Sequence, residues 1–167
     1  MAVALPRGGL PIAAPIAARF RLPIDVLLIR KVGVPGQREL AVGAVSDGQD
    51  MQITVNQDIA DSLKLSHEDI VALARRELPE LERRRNLYFG DLAPEPLAGR
   101  TAIVVDDGVA TGATARAALR LVRQRQPKQI IVALPVAPAS SLAELGAEAD
   151  AIVCLHQPEP FLSVGSH

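Results

Sequence analysis

Ala102-Ile103-Val104-Val105-Asp106-Asp107-Gly108-Val109-Ala110-Thr111-Gly112-Ala113-Thr114 is the stretch on which the reading of this chain turns. Its apolar residues predict a strand, and a buried strand tolerates acids only at its rim, so Asp106 and Asp107 mark the carboxyl end where open α/β sheets bind ligands. Gly108, Val109, Ala110, Thr111, Gly112, Ala113 and Thr114 are small enough for close approach of another molecule. They open a helix whose first N–H groups and positive dipole end suit a phosphate. Carboxylates accept hydrogen bonds from vicinal hydroxyls, so acids followed by an amide cradle meet the two needs of a ribose 5-phosphate. No Lys follows Gly112, as a Walker A loop requires, and there is no G-x-G-x-x-G of a dinucleotide fold. Taken alone, the same stretch also reads as a turn with solvated acids and a Thr that merely caps a helix.

Outward from this stretch the pattern is regular. Thr101 to Asp106, Gln129 to Pro135 and Ala151 to Leu155 read as strands, with a helix over Ala113 to Gln124 and another, capped by Ser140 or Ser141, running to Gly146. Toward the amino end, Ala2 to Leu5 is a short strand stopped by Pro6-Arg7-Gly8-Gly9, Leu10 to Phe20 has helical spacing, and Asp25 to Ile29 is the next apolar run, ending in Arg30-Lys31. Strands alternating with helices predict a parallel sheet. Between these halves, Ala41 to Val45 and Met51 to Val55 read as a hairpin over Asp47-Gly48. Ser66 caps a charged helix running toward Arg85, kinked or broken at Pro79.

Aromatic residues are 2% of a chain that is 49% hydrophobic, so the core must be built from Ala, Val, Leu and Ile, as in a parallel sheet covered on both faces. The 167 residues fit one domain, expected over 1–167, with no internal repeat. A net charge of −1 supplies no global field for nucleic acid or an anionic membrane. No run reaches the roughly 18 apolar residues of a membrane span. The lone Cys154, inside an apolar run, reads as a buried structural thiol that suits a reducing compartment, and the chain is expected to be cytoplasmic. His67, His156 and His167 lack the mutual spacing of a metal site, so none is expected.

The acid-rich loop resembles the phosphoribosyl pyrophosphate signature of the type I phosphoribosyltransferases. The order of Leu5-Pro6-Arg7-Gly8-Gly9, Arg30-Lys31-Val32-Gly33-Val34-Pro35-Gly36, Glu39-Leu40-Ala41-Val42-Gly43-Ala44 and Pro158-Glu159-Pro160-Phe161 is similar to an uncharacterised bacterial branch of that family over nearly the whole chain. The resemblance implies a Rossmann-like parallel sheet flanked by helices, with a small accessory hood or hairpin. Members of the branch usually carry more residues before the first strand and after Gly165-Ser166-His167, which leaves open a form shortened at both ends.

By the same resemblance, Asp106 and Asp107 would hold the ribose hydroxyls, and Ala110 to Thr114 the 5′-phosphate. Gly108 stands where the family usually has an aliphatic residue, followed by Val109. Pro6, Arg7, Gly8 and Gly9 would form the pyrophosphate loop, with Arg30 and Lys31 as cationic contacts; individually, Arg7 reads equally as a turn residue and Arg30-Lys31 as a solvated strand end. Arg7, Lys31, Asp106 and Asp107 would carry catalysis, with Mg²⁺ borne mainly by the substrate. Phe161 could stack on a base or belong to the core, and Arg75 or Arg76 could close over pyrophosphate or belong to a salt-bridged helix. The implied reaction moves a phosphoribosyl group from 5-phosphoribosyl 1-pyrophosphate to a nitrogenous acceptor, in a monomer or homodimer that binds neither nucleic acid nor membrane. Ala110 stands where enzymes acting on 6-oxopurines generally carry an acid, which disfavours such acceptors. A non-catalytic sensor of phosphoribosyl pyrophosphate or a nucleotide, and a sugar-phosphate hydrolase, are the alternatives.

Overall fold

The computed structural model describes residues 1–34, 37–46, 51–90 and 95–166. Two compact units divide it, Met1–Leu27 with Glu95–His167, and Leu28–Pro94.

In the first unit, β1 (Ala2–Ala4), β2 (Ile24–Val26), β6 (Thr101–Val105), β7 (Gln129–Val136) and β8 (Ala151–His156) form a parallel sheet in the order β2-β1-β6-β7-β8. Ala4 sits between Val26 on one side and Val105 on the other, and Val105 is in register with Ala133. The chain runs from β1 outward to β2 and later from β6 outward to β7 and β8, so β1 and β6 flank the point where strand order reverses. Ligands of open α/β sheets bind at the carboxyl ends beside such a reversal.

Helix α1 (Gly9–Phe20) lies on the sheet through small side chains. Ala13 and Ala17 meet Ala2, Ala4 and Val105, with Leu10, Ile12 and Ile16 around them. Pro11 falls in the first turn, where its missing N–H has no intrahelical role, and Pro15 is accommodated within the helix. Helix α5 (Ala113–Gln124) buries Ala115, Ala118, Leu119, Leu121 and Val122. Helix α6 (Ala139–Leu145) is tied to α5 by the Arg116–Glu144 ion pair, and the segment after it by Arg120–Glu148 and Arg123–Asp150. Pro138, not a serine, precedes α6, and no side chain caps it; Ser141, expected as a possible cap, lies inside the helix and is buried.

The second unit holds β3 (Ile29–Val34), β4 (Gln37–Ser46) and β5 (Gln52–Val55) as an antiparallel sheet, with α2 (Gln57–Ser62), α3 (His67–Arg75) and α4 (Leu78–Phe89). The expected hairpin is present, Gly43 facing Val55 and Ser46 facing Gln52, while its Asp47-Gly48 turn lies outside the described residues. The long charged helix is two helices. Ser66 and Asp69 form a reciprocal capping box at the start of α3, and the break at Arg76-Glu77 precedes Pro79 in the first turn of α4. The apolar run Asp25 to Ile29 does not make one strand either; it ends β2 at Val26, and Ile29 begins β3 of the other sheet.

Cys154 is only half-buried, because β8 is the sheet edge and Val153 and Leu155 beside it are exposed; its Sγ lies 3.2 Å from the His156 carbonyl oxygen. Among the described residues no helix is long and apolar enough to cross a membrane.

One buried charge pair joins β2 to the end of α5. Asp25 is 2% exposed, accepts from its neighbour Val26 N–H, and lies 3.3 Å from Arg125 across 100 residues of sequence. Removing Asp25 takes this carboxylate away from the part-buried Arg125 guanidinium. Asp25→Ala should therefore lower unfolding free energy by about 3–5 kcal/mol, read as a lower urea midpoint at unchanged m-value; a shift of less than about 1 kcal/mol would place the pair with ordinary surface bridges.

Candidate functional site

The carboxyl ends of β1 and β6 are joined by a turn that only glycine permits. Leu5 N–H donates to the Val105 carbonyl, and Gly9 N–H closes the turn onto the Leu5 carbonyl, both at 2.9 Å. A Cβ on Gly9 would overlap the Val105 carbonyl oxygen, and one on Gly8 would overlap Asp107 Oδ2. Gly8 and Gly9 of the first loop thus lie against Asp107 and Asp106 of the second. The Pro6–Arg7 peptide is cis, and Arg7 is exposed beside the acids' loop.

Asp106 leaves β6 half-buried, whereas Asp107 is exposed. Burial raises the Asp106 carboxyl from an ordinary 3.8 to about 7. The Asp107 N–H, donating to Asp106 Oδ1 at 2.9 Å, offsets part of that rise, and the charge of the Asp107 carboxylate adds to it. A carboxyl poised near neutrality can accept a hydrogen bond when ionised and donate one when protonated.

The segment from Gly108 to Gly112 is pinned from beneath. Val109 is buried and its N–H donates to the Val136 carbonyl at the end of β7 (3.1 Å), while Ser141 Oγ donates to the Ala110 carbonyl. Gly108 has φ +152°, and a Cβ there would lie 2.7 Å from Val164 Cγ1 and 2.9 Å from Val136 Cγ1. A side chain at this φ would be strained and would crowd both valines. Gly112, at φ +74°, delivers the chain into α5, whose amino end has no side-chain cap and no acid in its first turn. Ala110, Thr111, Ala113 and Thr114 are exposed around that end.

The remaining expected residues divide differently. Arg30 and Lys31 do not follow a strand of the parallel sheet. They lie inside β3, opposite Val45 and Ala44, and adjacent strand residues face opposite ways. Arg30 is engaged by Glu77, its Nε at 2.9 Å and its Nη2 at 2.8 Å from Oε2, and Lys31 is exposed. They therefore do not form one cationic patch. On α4, Arg83 and Arg84 pair with Glu80, whose carboxyl those hydrogen bonds hold down to about 2, and Arg85 lies over the Phe89 ring; Arg75 and Arg76 are exposed. Phe161 is half-buried in the tail after β8.

Sequence reasoning misses the part played by Ser141 and Val164. A Ser near a helix start ordinarily reads as a cap, which hides the reach of Ser141 to another loop. Val164, in an irregular tail, has no periodic signal to place it against Gly108. Among the described residues no group of three or more His, Cys, Asp or Glu side chains could hold a metal ion.

A family model described as the phosphoribosyl transferase domain matches residues 1–158. A Mycobacterium tuberculosis protein, provisionally named a phosphoribosyl transferase in strains H37Rv and CDC 1551, is 41% identical over 161 residues, or 96% of this chain. The chain spans 36% of the length of that curated relative. Among solved structures, TT1426 from Thermus thermophilus is 36% identical with a TM-score of 0.82, the match covering 99% of this chain and 77% of that one. AQ2163 from Aquifex aeolicus shares the fold at 14% identity and a TM-score of 0.53, over 98% of this chain and 57% of that one.

The raised Asp106 carboxyl has a consequence for stability. A group whose pKa rises on folding keeps its proton in the native state after the unfolded chain has lost it, so its ionisation penalises folding as pH climbs from about 4 to about 7. Asp106→Asn removes this penalty. Its stability relative to the parent should increase across that window in denaturant titrations and level off above it, whereas parallel pH profiles would show that Asp106 titrates normally.

Proposed function

This chain belongs to the phosphoribosyl transferase domain family, and from that premise we propose that it binds 5-phosphoribosyl 1-pyrophosphate and transfers the phosphoribosyl group to a nitrogenous acceptor. The observation that carries the reading is the contact of two anion-suited loops at the sheet reversal. Asp107 lies against Gly8, and the uncapped end of α5 follows seven residues after Asp106.

In this reading Asp106 and Asp107 hold the 2′- and 3′-hydroxyls of the ribose, and the amides of Ala110 to Thr114 hold its 5′-phosphate. The acceptor nitrogen forms a bond to C1 as the bond from C1 to the pyrophosphate oxygen breaks, and pyrophosphate leaves with the electron pair. The acceptor's N–H proton passes to solvent or a phosphate oxygen. Positive charge grows on the ribose in the transition state, and the nearby carboxylates favour it electrostatically. In this reading the exposed Arg7 and the amides of Gly8 and Gly9 receive the leaving pyrophosphate.

Mg²⁺ borne by the pyrophosphate would supply charge neutralisation of the leaving group. Two adjacent carboxylates fit that ion's habit of binding through one or two carboxylates, water and substrate phosphates. Phe161 is a candidate base-stacking residue, and Ala110 offers no side-chain proton donor to a 6-oxopurine. The protein is taken to act in the cytoplasm, as a monomer or homodimer.

Calorimetry with phosphoribosyl pyrophosphate and Mg²⁺ tests the ribose assignment. Each lost charge-assisted hydrogen bond is worth about 1.5–3 kcal/mol, so Asp106→Asn/Asp107→Asn should weaken binding at least tenfold, and unchanged affinity would refute the assignment. A pyrophosphate-release assay with hypoxanthine, guanine, adenine, uracil and orotate should show little turnover of the first two. Efficient use of hypoxanthine would defeat the argument from Ala110, while release with none of the bases would favour a non-catalytic sensor.

A further inference from the structure

Ser141 has no role in the reaction just described, yet it is 4% exposed, sits on a helix, and spends its hydroxyl on a loop carbonyl 31 residues away. Its partner is the Ala110 oxygen, in the middle of the loop between Asp107 and α5. The Ala110–Thr111 peptide is not among the cis bonds of the described residues. In a trans peptide the C=O and the following N–H point in opposite directions. Holding the Ala110 oxygen inward against α6 therefore turns the Thr111 N–H outward, away from α6 and toward the exposed side of the loop where Thr111 and Thr114 stand. The Gly108–Val109 peptide, two before it in the loop, is held as well, since Val109 N–H is spent on Val136.

We propose that Ser141 is a positioning residue for the anion loop: its hydroxyl selects the orientation of the Ala110–Thr111 peptide that presents an N–H, rather than a carbonyl oxygen, to the bound phosphate. The proposal rests on the reading that this loop holds the 5′-phosphate. The alternative orientation would set a carbonyl dipole against the anion, so a single hydroxyl decides between a donor and a repelling group. The Arg116–Glu144 pair ties α6 to α5, the same helix the loop opens, and Arg120–Glu148 ties the segment just after α6 to it. Gly112 adjoins the arrangement; a Cβ built there would lie 3.9 Å from Ser141 Cβ, an ordinary contact distance.

The test uses the whole chain labelled with 15N, as parent, Ser141→Ala and Ser141→Thr, titrated separately with inorganic phosphate, pyrophosphate, ribose 5-phosphate and phosphoribosyl pyrophosphate with Mg²⁺. In the parent, phosphate and ribose 5-phosphate should shift the Thr111 amide resonance. Ser141→Ala should raise the Kd for ribose 5-phosphate by roughly tenfold, abolish the Thr111 shift and leave Kd for pyrophosphate alone unchanged. Ser141→Thr, which keeps the hydroxyl, should restore both. An unchanged Kd and an unchanged Thr111 response in Ser141→Ala would overturn the proposal. So would a parent that binds phosphate without moving Thr111, a result that needs no variant to fold. Phosphate binding that depends on Ser141 in a chain that ignores phosphoribosyl pyrophosphate would instead sink the functional reading and leave the positioning role standing.

Discussion

Everything at the candidate site depends on how closely two backbone segments approach at the ends of β1 and β6. The Val105 carbonyl must accept from Leu5 N–H while Gly9 passes within a distance that excludes any side chain. A methyl group on either Gly8 or Gly9 would push the first loop off the second, and Asp107 would lose its neighbour. Dispersion and hydrogen bonding fall off so steeply that an ångström of separation there would dissolve the site without unfolding the sheet. The parallel sheet is in this sense a device for holding two loop origins at adjacent positions.

A second layer of constraint fixes what those loops present. Burial and an adjacent acid make Asp106 reluctant to ionise, and the loop after it is oriented by contacts to β7 and α6 rather than by its own residues. A loop of Gly, Ala and Thr has little intrinsic preference for one conformation, and its order must be imported. That import is why Ser141 and Val164 matter while lying far along the chain from the motif.

Most of the parallel sheet was legible in the sequence, because strands buried on both faces write themselves as continuous apolar runs and α5 carries an unbroken amphipathic period. Ala113 to Gln124 was bounded correctly on that ground. The signature loop was legible for a chemical reason: adjacent acids at a strand rim followed by small residues have few purely structural uses. Asp25 to Ile29 misled, since an apolar run does not record that the chain leaves one sheet at Val26 and enters another at Ile29. Arg30-Lys31 misled for a related reason, because a strand end and a strand interior look alike when both carry charge. Cys154 read as buried because edge and centre strands share the same composition, and only the topology shows that β8 is an edge. Contacts such as Ser141 to Ala110 link distant residues, and no local pattern encodes them.

The core of small aliphatic side chains leaves the first unit without Trp or Tyr, its aromatic residues being Phe20 and Phe161. The chain has no Trp and one Tyr, and that Tyr88 lies on α4 in the second unit. Intrinsic fluorescence would therefore follow the Leu28–Pro94 unit and be blind to the sheet that carries the acids. Absorbance of a bound purine or pyrimidine, by contrast, would rise from an almost dark background. A tryptophan placed at an exposed position such as Leu155, 82% accessible on the edge strand, would give the sheet a reporter of its own without entering the close-packed Ala13–Ala17 contact.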